Sequence, residues 1–173
     1  MRALQFWKTV TADHADLLEG FLSVLEENRI AFCVVGGQGV NAYAEPVVSL
    51  DLAVAVAVGD LSRVESLMKE HFRIERFPHS LNISLAGSKL RIQIQTDPRY
   101  GEFVAQASPR EVLEIVLPVA SLEDVLQGKL WAFRDAARRG SKRQKDLADI
   151  SRLVEAYPRL CSRVPEDVLA RPL

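Results

Sequence analysis

Three short segments of the sequence carry residue types that could do chemistry. The first is the segment 36–42, GGQGVNA, which directly follows the apolar run 31–35. Backbone amides without side chains at the start of a helix can hold a phosphate, so Gly36 and Gly37 are candidate nucleotide-binding residues. The simpler alternative is that these glycines only let a strand turn tightly into a helix.

The same segment fits a dinucleotide-binding fingerprint, G-x-G-x-x-A from Gly37, with Asp60 about 20 residues further on. The fold that carries this fingerprint needs further parallel strands that alternate with helices. The chain instead continues with a predicted antiparallel hairpin, formed by residues 81–85 and 90–95. The hairpin argues against a dinucleotide-binding domain.

The second candidate is Asp51, a lone carboxylate on a predicted strand. From Ser49 to Val58, large apolar residues alternate with small or polar ones, which predicts a strand with one small-residue face. Asp51 lies on that face beside Ala53, where another group can approach closely. A single Asp at a strand start is more often a turn or edge residue than a ligand, but this setting makes Asp51 a candidate catalytic residue.

The third candidate is the basic segment 134–146, which contains six basic and two acidic residues. The simpler interpretation is a solvated turn between two helices. Alternatively, Lys142 or Lys145, or Lys129 on the preceding helix, binds a triphosphate or a nucleic-acid backbone.

Two carboxylates, Asp146 and Asp149, stand at the end of this segment and just beyond it. Their spacing of three places them on one face of a predicted helix. We expect that face to lie opposite the buried stripe, with both carboxylates positioning basic side chains.

The periodicity of apolar residues predicts the elements that position these candidates. Helices are predicted from after Asp13 to about Asn28, over residues 37–44 and 60–71, from a cap at Ser121 to Gly140, and from a second cap at Ser141 onward. Strands are predicted over residues 31–35 and 49–58 and in the hairpin. The segment 109–117 fits either a short helix or a strand.

The composition bounds where such a site can act. A chain of 173 residues, 48% of them hydrophobic, can bury one sizeable core, and a net charge of -1 gives no overall attraction to nucleic acid or membranes. No apolar run approaches the about 20 residues of a membrane span, and residues 1–11 lack the apolar core of a signal peptide. We therefore expect a cytoplasmic protein with no membrane partner. Cys33 and Cys161 lack the spacing of a zinc site or disulfide framework and are expected to be reduced.

Taken together, these segments resemble a known family. The runs 34–43 (VVGGQGVNAY) and 45–51 (EPVVSLD), followed by Lys129 and by R-x-K-D-x-x-D from Arg143, resemble the small nucleotidyltransferase-fold proteins of the AbiEii type. The resemblance covers roughly residues 20–156. It implies an α/β (α+β) fold, a mixed sheet with flanking helices, in which residues 1–118 form the nucleotidyltransferase-like core and residues 119–173 a helical part packed on it.

The resemblance also implies a site chemistry. In that family a glycine pair opens a helix beside the triphosphate, and a D-x-D motif plus a third carboxylate hold magnesium. It places Gly36, Gly37 and Ser49 among the nucleotide-binding residues, and implies Mg²⁺ and an NTP as cofactors if the protein is active.

This sequence departs from the family pattern at the metal ligands. The D-x-D motif is reduced to Asp51-Leu52-Ala53, and the third carboxylate position offers Gln93. One carboxylate and one amide are a poor set for Mg²⁺. Arg91 on the same predicted face would repel the ion and could pair with Asp51 instead.

Three functions follow as hypotheses. The preferred one is a catalytically degenerate protein that binds a nucleotide, or acts in a regulatory or antitoxin-like role with a toxin or RNA partner. The second is an active Mg²⁺-dependent transferase of NMP to RNA, protein or a small molecule, with its missing carboxylate supplied by Asp97 or Glu102. The third is a protein-interaction module without a nucleotide. We expect any ligand to bind between the Gly36-Gly37 turn and the basic segment.

Overall fold

The computed structural model describes residues 14–170, so the signal-peptide expectation for residues 1–11 lies outside them. The described chain folds into one sheet with helices on both faces. The strands are β1 (Phe32–Val35), β2 (Asp51–Val56), β3 (Arg73–Phe77), β4 (Ser80–Ser84), β5 (Arg91–Gln95), β6 (Ser108–Val112) and β7 (Ile115–Val119). The α-helices are α1 (His14–Glu27), α2 (Gly36–Asn41), α3 (Leu61–Lys69), α4 (Leu122–Arg134), α5 (Gly140–Ala156) and α6 (Glu166–Leu169). Short 3₁₀ segments are formed by Val58–Asp60, Pro98–Gln106 and Pro158–Arg163.

The sheet is mixed, as the family resemblance implies. Its strand order is β3-β4-β5-β2-β1-β7-β6. The pairs β2 with β5 and β1 with β7 are parallel, whereas all other neighbours are antiparallel. Within residues 14–170, no helix combines the length and the apolar character that crossing a membrane requires.

Alternation along the strands gives the sheet two different faces. One carries large side chains such as Leu52 and Val54 and packs in one apolar cluster with residues of α1 and α3. The other carries the small residues Ala53 and Ala55 of β2 and packs in a second cluster with residues of α4 and α5. The small face lets α2 pack closely against β2, which begins at Asp51.

The predicted hairpin is confirmed, with β4 and β5 antiparallel and Asn82 opposite Gln93. The ambiguous segment forms part of a second hairpin, β6 and β7, whose turn residues Leu113 and Glu114 have positive φ values of 54° and 64°. Strand β3 has no counterpart among the predicted elements. Most of its side chains are exposed, so it lacks the alternation of a half-buried strand.

The helix caps agree only in part with prediction. Ser121 caps α4, since its hydroxyl accepts a hydrogen bond from the Asp124 N–H at 3.1 Å. Asp60 precedes α3 but its side chain makes no capping hydrogen bond.

The predicted boundary between the two long C-terminal helices is wrong. α4 ends at Arg134 and α5 begins at Gly140, so Gly140 opens the second helix instead of ending the first. Arg139 occupies the capping position in place of Ser141, and no side chain caps the helix. The turn between these helices, residues 135–139, is called the elbow below.

Candidate functional site

Gly36 makes the turn from β1 into α2 possible. Its φ of 64° lies in the left-handed region, and a Cβ there would lie 3.0 Å from the Cβ of Ala53. Gly37 differs, because a Cβ at that position would meet nothing within 4 Å. The backbone turn therefore requires glycine at position 36. At position 37 it does not, and the open space there leaves room for a ligand.

Side chains of α2 hold the loop that leads into β2. The Asn41 amide donates to the Val47 carbonyl at 2.8 Å and accepts from the Val47 N–H at 3.0 Å. The buried Gln38 donates from Nε2 to the Ser49 carbonyl at 3.2 Å. The Ser49 hydroxyl accepts from the Asp51 N–H at 3.2 Å. These hydrogen bonds fix the backbone that presents Asp51, and the Ser49 hydroxyl serves that backbone.

Asp51 and Arg91 form a two-pronged ion pair across the parallel strands β2 and β5. The two residues lie opposite each other in register. Nε of Arg91 donates to Oδ1 of Asp51 at 3.1 Å, and Nη2 donates to Oδ2 at 3.1 Å. This is the geometry in which a guanidinium binds a carboxylate best. The Arg91 side chain is 43% exposed and the Asp51 side chain 30% exposed. The expected pairing therefore exists at a place that water reaches.

Lys142 of α5 lies near this pair, with Lys145 and Arg138 as further cationic neighbours of the lysine. Lys142 is half-buried, and burial is the main cause that lowers its pKa. The charge of Asp51 opposes this shift, whereas the nearby charges of Arg91, Lys145 and Arg138 add to it. Within residues 14–170, neither Lys142 nor Lys145 has an ion-pair partner. The cleft beside Asp51 therefore carries an excess of positive charge that suits a phosphate.

Lys129, the third candidate lysine, is buried between α4 and α5. Its Nζ lies 3.2 Å from Oδ1 of Asp146 and 2.8 Å from Oδ2 of Asp149. The second contact is an ion pair, since its angles do not make a hydrogen bond. The expectation that both carboxylates lie opposite the buried stripe is wrong. They point into the helix interface, where the Lys129 charge compensates their burial.

Two arginines complete this buried cluster. Nε of Arg138 donates to Oδ2 of Asp146 at 2.6 Å. Arg152 donates to Oδ1 of Asp149 and to Oδ1 of Asn41, each at 2.9 Å. The two aspartates thus hold basic side chains. Arg152 also donates to the Glu45 carbonyl, which ties α5 to the loop that leads into β2.

The residues around Asp51 do not fit a magnesium ion. Arg91 engages both Asp51 oxygens, and the neighbouring pair in the register is Ala53 and Gln93. Mg²⁺ requires near-octahedral oxygen ligands, with one or two carboxylates in most protein sites. In the described part of the chain, no three His, Cys, Asp or Glu side chains are placed to hold a metal ion.

Asp97 and Glu102, the carboxylates that would supply the missing ligand, lie elsewhere. Asp97 follows the carboxyl end of β5, whereas Arg91 begins that strand, so the length of the strand, about 13 Å, separates them. Asp97 instead pairs with Arg99, whose Nη2 lies 2.7 Å from Oδ2. Glu102 follows Gly101, which packs against backbone at the carboxyl end of β2, the end opposite Asp51.

Several site residues have no role assigned from the sequence. Gln38 and Asn41 stand inside the glycine segment, where polar side chains on a short helix are a signal for hydrogen bonds to a neighbouring loop. Arg152 lies three residues after Asp149, the spacing at which opposite charges pair on a helix.

The chain is similar to nucleotidyltransferases in sequence and in fold. Residues 38–169 match the family described as "Nucleotidyl transferase AbiEii toxin, Type IV TA system". No curated protein matches the chain. Among solved structures, the antibiotic-resistance factor ANT(2'')-Ia is 11% identical with a TM-score of 0.55, over 88% of this chain and 93% of that one.

Two further solved structures are similar to a comparable degree. The lincosamide antibiotic adenylyltransferase LnuA, with bound lincomycin, is 14% identical with a TM-score of 0.50, over 79% of this chain and 95% of that one. The protein JHP933 from Helicobacter pylori is 17% identical with a TM-score of 0.51, over 91% of this chain and 70% of that one. At these identities the likeness establishes a nucleotidyltransferase-like fold and nothing finer.

Proposed function

Since this chain belongs to the AbiEii family of nucleotidyl transferases, we propose that it binds a nucleotide beside Asp51 without a metal ion. In this proposal its metal site has degenerated, and its role is regulatory or antitoxin-like. The observation that carries the proposal is the two-pronged contact of Arg91 with Asp51, which leaves neither carboxylate oxygen free for a metal.

The cationic cluster, defined as Arg91, Arg138, Lys142 and Lys145, supports binding of phosphates. Arg91 and Arg138 are partly neutralised by aspartates, so Lys142 and Lys145 are the charges available to a ligand. Desolvation of Lys142 is unfavourable until an anion approaches it, and a phosphate that binds there relieves that cost. The open space at Gly37 gives the phosphates access to the start of α2.

Thermal unfolding with nucleotides tests the proposal. ATP or GTP at about 100 times its Kd should stabilise the protein by roughly 2.7 kcal/mol, and Mg²⁺ should not be needed. The shift should decrease as salt rises, because phosphate contacts are screened. Lys142→Ala should reduce it, whereas Lys69→Ala, which removes an exposed lysine from α3 on the other sheet face, should leave it unchanged.

Two outcomes would overturn this assignment. Binding that requires Mg²⁺ would show that a metal site persists. No stabilisation by any nucleotide would favour the interaction module, in which the cationic cluster contacts an acidic protein surface.

A second candidate function is an active transferase of NMP from an NTP. It is favoured by family membership and by the exposure of Asp51 and Arg91, because a solvated ion pair can separate when a ligand binds. The acceptor would be RNA, a protein or a small molecule, the last suggested by the lincosamide adenylyltransferase that shares the fold. Transfer of labelled NMP that requires Mg²⁺ and is lost in Asp51→Asn would establish this function and exclude the degenerate one.

A further inference from the structure

A polar surface continues from the Asp51–Arg91 pair along β5 and β4. Side chains alternate along a strand, so Gln93 and Gln95 project from the same face of β5 as Arg91. On β4, Asn82 lies opposite Gln93, and Ser80 lies opposite Gln95. Residues opposite each other on paired strands project to the same side. These four, Ser80, Asn82, Gln93 and Gln95, are called the amide strip.

The amide strip lies outside the apolar cluster on its side of the sheet. That cluster takes Cys33 and Val35 from β1 and Ala53 and Ala55 from β2, and among the described residues none from β4 or β5. Asn82 is only 8% exposed, and the other three side chains are half-buried. The strip is therefore a partly covered polar surface and not a fully solvated one.

The strip suits an uncharged ligand rich in hydrogen-bonding groups. Each amide presents both a donor and an acceptor, and the strip itself carries no charge. The Ser80 hydroxyl donates to Oδ1 of Asn82 at 3.3 Å, which orients that amide. Phosphates prefer the cationic cluster beside it, and an apolar group would leave the half-buried amides without partners.

We propose that the amide strip is a second subsite, which binds the uncharged ring of a phosphorylated ligand whose phosphates lie at the cationic cluster. This inference rests on the proposed nucleotide-binding function. Same-face residues are about 7 Å apart along a strand, so the far end of the strip, Gln95, lies about 13 Å from Arg91. That length accommodates a ring attached to a phosphate. The shared chemistry is a nucleobase or a sugar, each with several donors and acceptors.

Calorimetric binding of three ligand types tests the subsite. The ligands are inorganic tripolyphosphate, which has no ring, ribose 5-phosphate, which has only the sugar, and ATP and GTP, which have both. The proteins are wild type, Gln93→Leu, Gln95→Leu and, as a matched control, Gln127→Leu at an exposed position on α4.

Tripolyphosphate shows the affinity that phosphate charge alone provides. Wild type should bind at least one ring-bearing ligand more tightly than the charge of that ligand predicts on this scale. Gln93→Leu or Gln95→Leu should weaken that ligand about three- to tenfold, the effect of one lost hydrogen bond, and leave tripolyphosphate unchanged. Gln127→Leu should match wild type. If the strip variants weaken binding of ATP or GTP but not of ribose 5-phosphate, the strip binds the base. If they weaken nucleotides and ribose 5-phosphate equally, the strip binds the sugar.

The two proposals fail in different ways. If tripolyphosphate binds as tightly as the nucleotides, or if both strip variants keep the wild-type preference, the subsite is wrong and the cationic cluster stands. If no phosphorylated ligand binds, the proposed function is wrong, and the subsite falls with it.

Discussion

The Arg91 guanidinium occupies both oxygens of the Asp51 carboxylate, the only acidic side chain of β2. A guanidinium in this position supplies fixed positive charge where a metal ion would otherwise be needed. Like a metal ion it is always charged, but it cannot bridge several ligand oxygens by coordination.

The Asp51–Arg91 pair should be weakly stabilising. A double-mutant cycle with Asp51→Ala and Arg91→Ala, measured by urea unfolding, should give a coupling energy of about 0.5–1 kcal/mol, because both side chains are in contact with solvent. Arg91→Lys should keep the charge but lose part of the coupling, since an ammonium cannot make the two-pronged contact. A coupling of about 3 kcal/mol would mean that the cleft is dry.

The neighbouring glycines should respond to alanine in opposite directions. Gly36→Ala should destabilise the fold by about 1–2 kcal/mol, because its φ is positive and its Cβ would press on Ala53. Gly37→Ala should stabilise by about 0.5–1 kcal/mol, since the position is helical and open. Chemical denaturation measures both, and equal effects would contradict the difference in backbone geometry.

Gly37→Val should fold and yet weaken nucleotide binding by filling the space beside α2.

Lys129 should matter mainly for folding. Lys129→Ala leaves Asp146 and Asp149 buried and under-compensated, which should cost about 3 kcal/mol, the lower end of the usual range, since two arginines still contact them. Lys145→Ala, at an exposed position, should change stability by less than about 0.5 kcal/mol and should weaken nucleotide binding. The opposite pattern, a stable Lys129→Ala protein with lost binding, would place the Lys129 ammonium in the cleft.

A metal site should be recoverable at the register positions of the missing carboxylates. Ala53→Asp and Gln93→Asp place two carboxylates opposite each other and next to Asp51. Binding of Mg²⁺ or Mn²⁺ should appear clearly only when Arg91→Ala is added, because the guanidinium competes for Asp51. Titration calorimetry that detects no gain in the triple variant would count against this placement of the side chains.

Cys33 should be inert in the native protein. Burial raises the pKa of its thiol to about 12, whereas Cys161 is exposed. A thiol reagent at pH 8 should therefore modify Cys161 rapidly and Cys33 only after denaturation, because the thiolate is the reactive form. Rapid labelling of both in the folded state would disprove the buried position of Cys33.

The raised pKa of Cys33 also makes the free energy of unfolding depend on pH in the alkaline range. The unfolded chain loses the Cys33 proton near its ordinary pKa of 9.0, while the folded chain keeps it to about 12. The folded state then binds more protons, so stability should fall as pH rises through that interval. Tyr100, whose pKa burial also raises to about 12, acts in the same direction. Cys33→Ala should reduce the slope of stability against pH.

Much of the site follows from local pattern in the sequence. Alternation along residues 49–58 predicts the small face of β2, and the phase of the hairpin places Arg91 and Gln93 on its polar face. A strand has period two, so a few residues are enough to assign each side chain to a face. The ion pair of Arg91 with Asp51 could be predicted only because the family resemblance also makes these two strands neighbours.

The tertiary structure decided the features that depend on pairing between distant segments. The edge strand β3 and the pairing of β7 with β1 are set by which backbone edges remain available, and local alternation does not record that. The burial of Asp146 and Asp149 depends on Lys129 from another helix. Helical spacing shows that the two aspartates share a face, but only the packing of α4 on α5 brings the lysine that makes their burial possible.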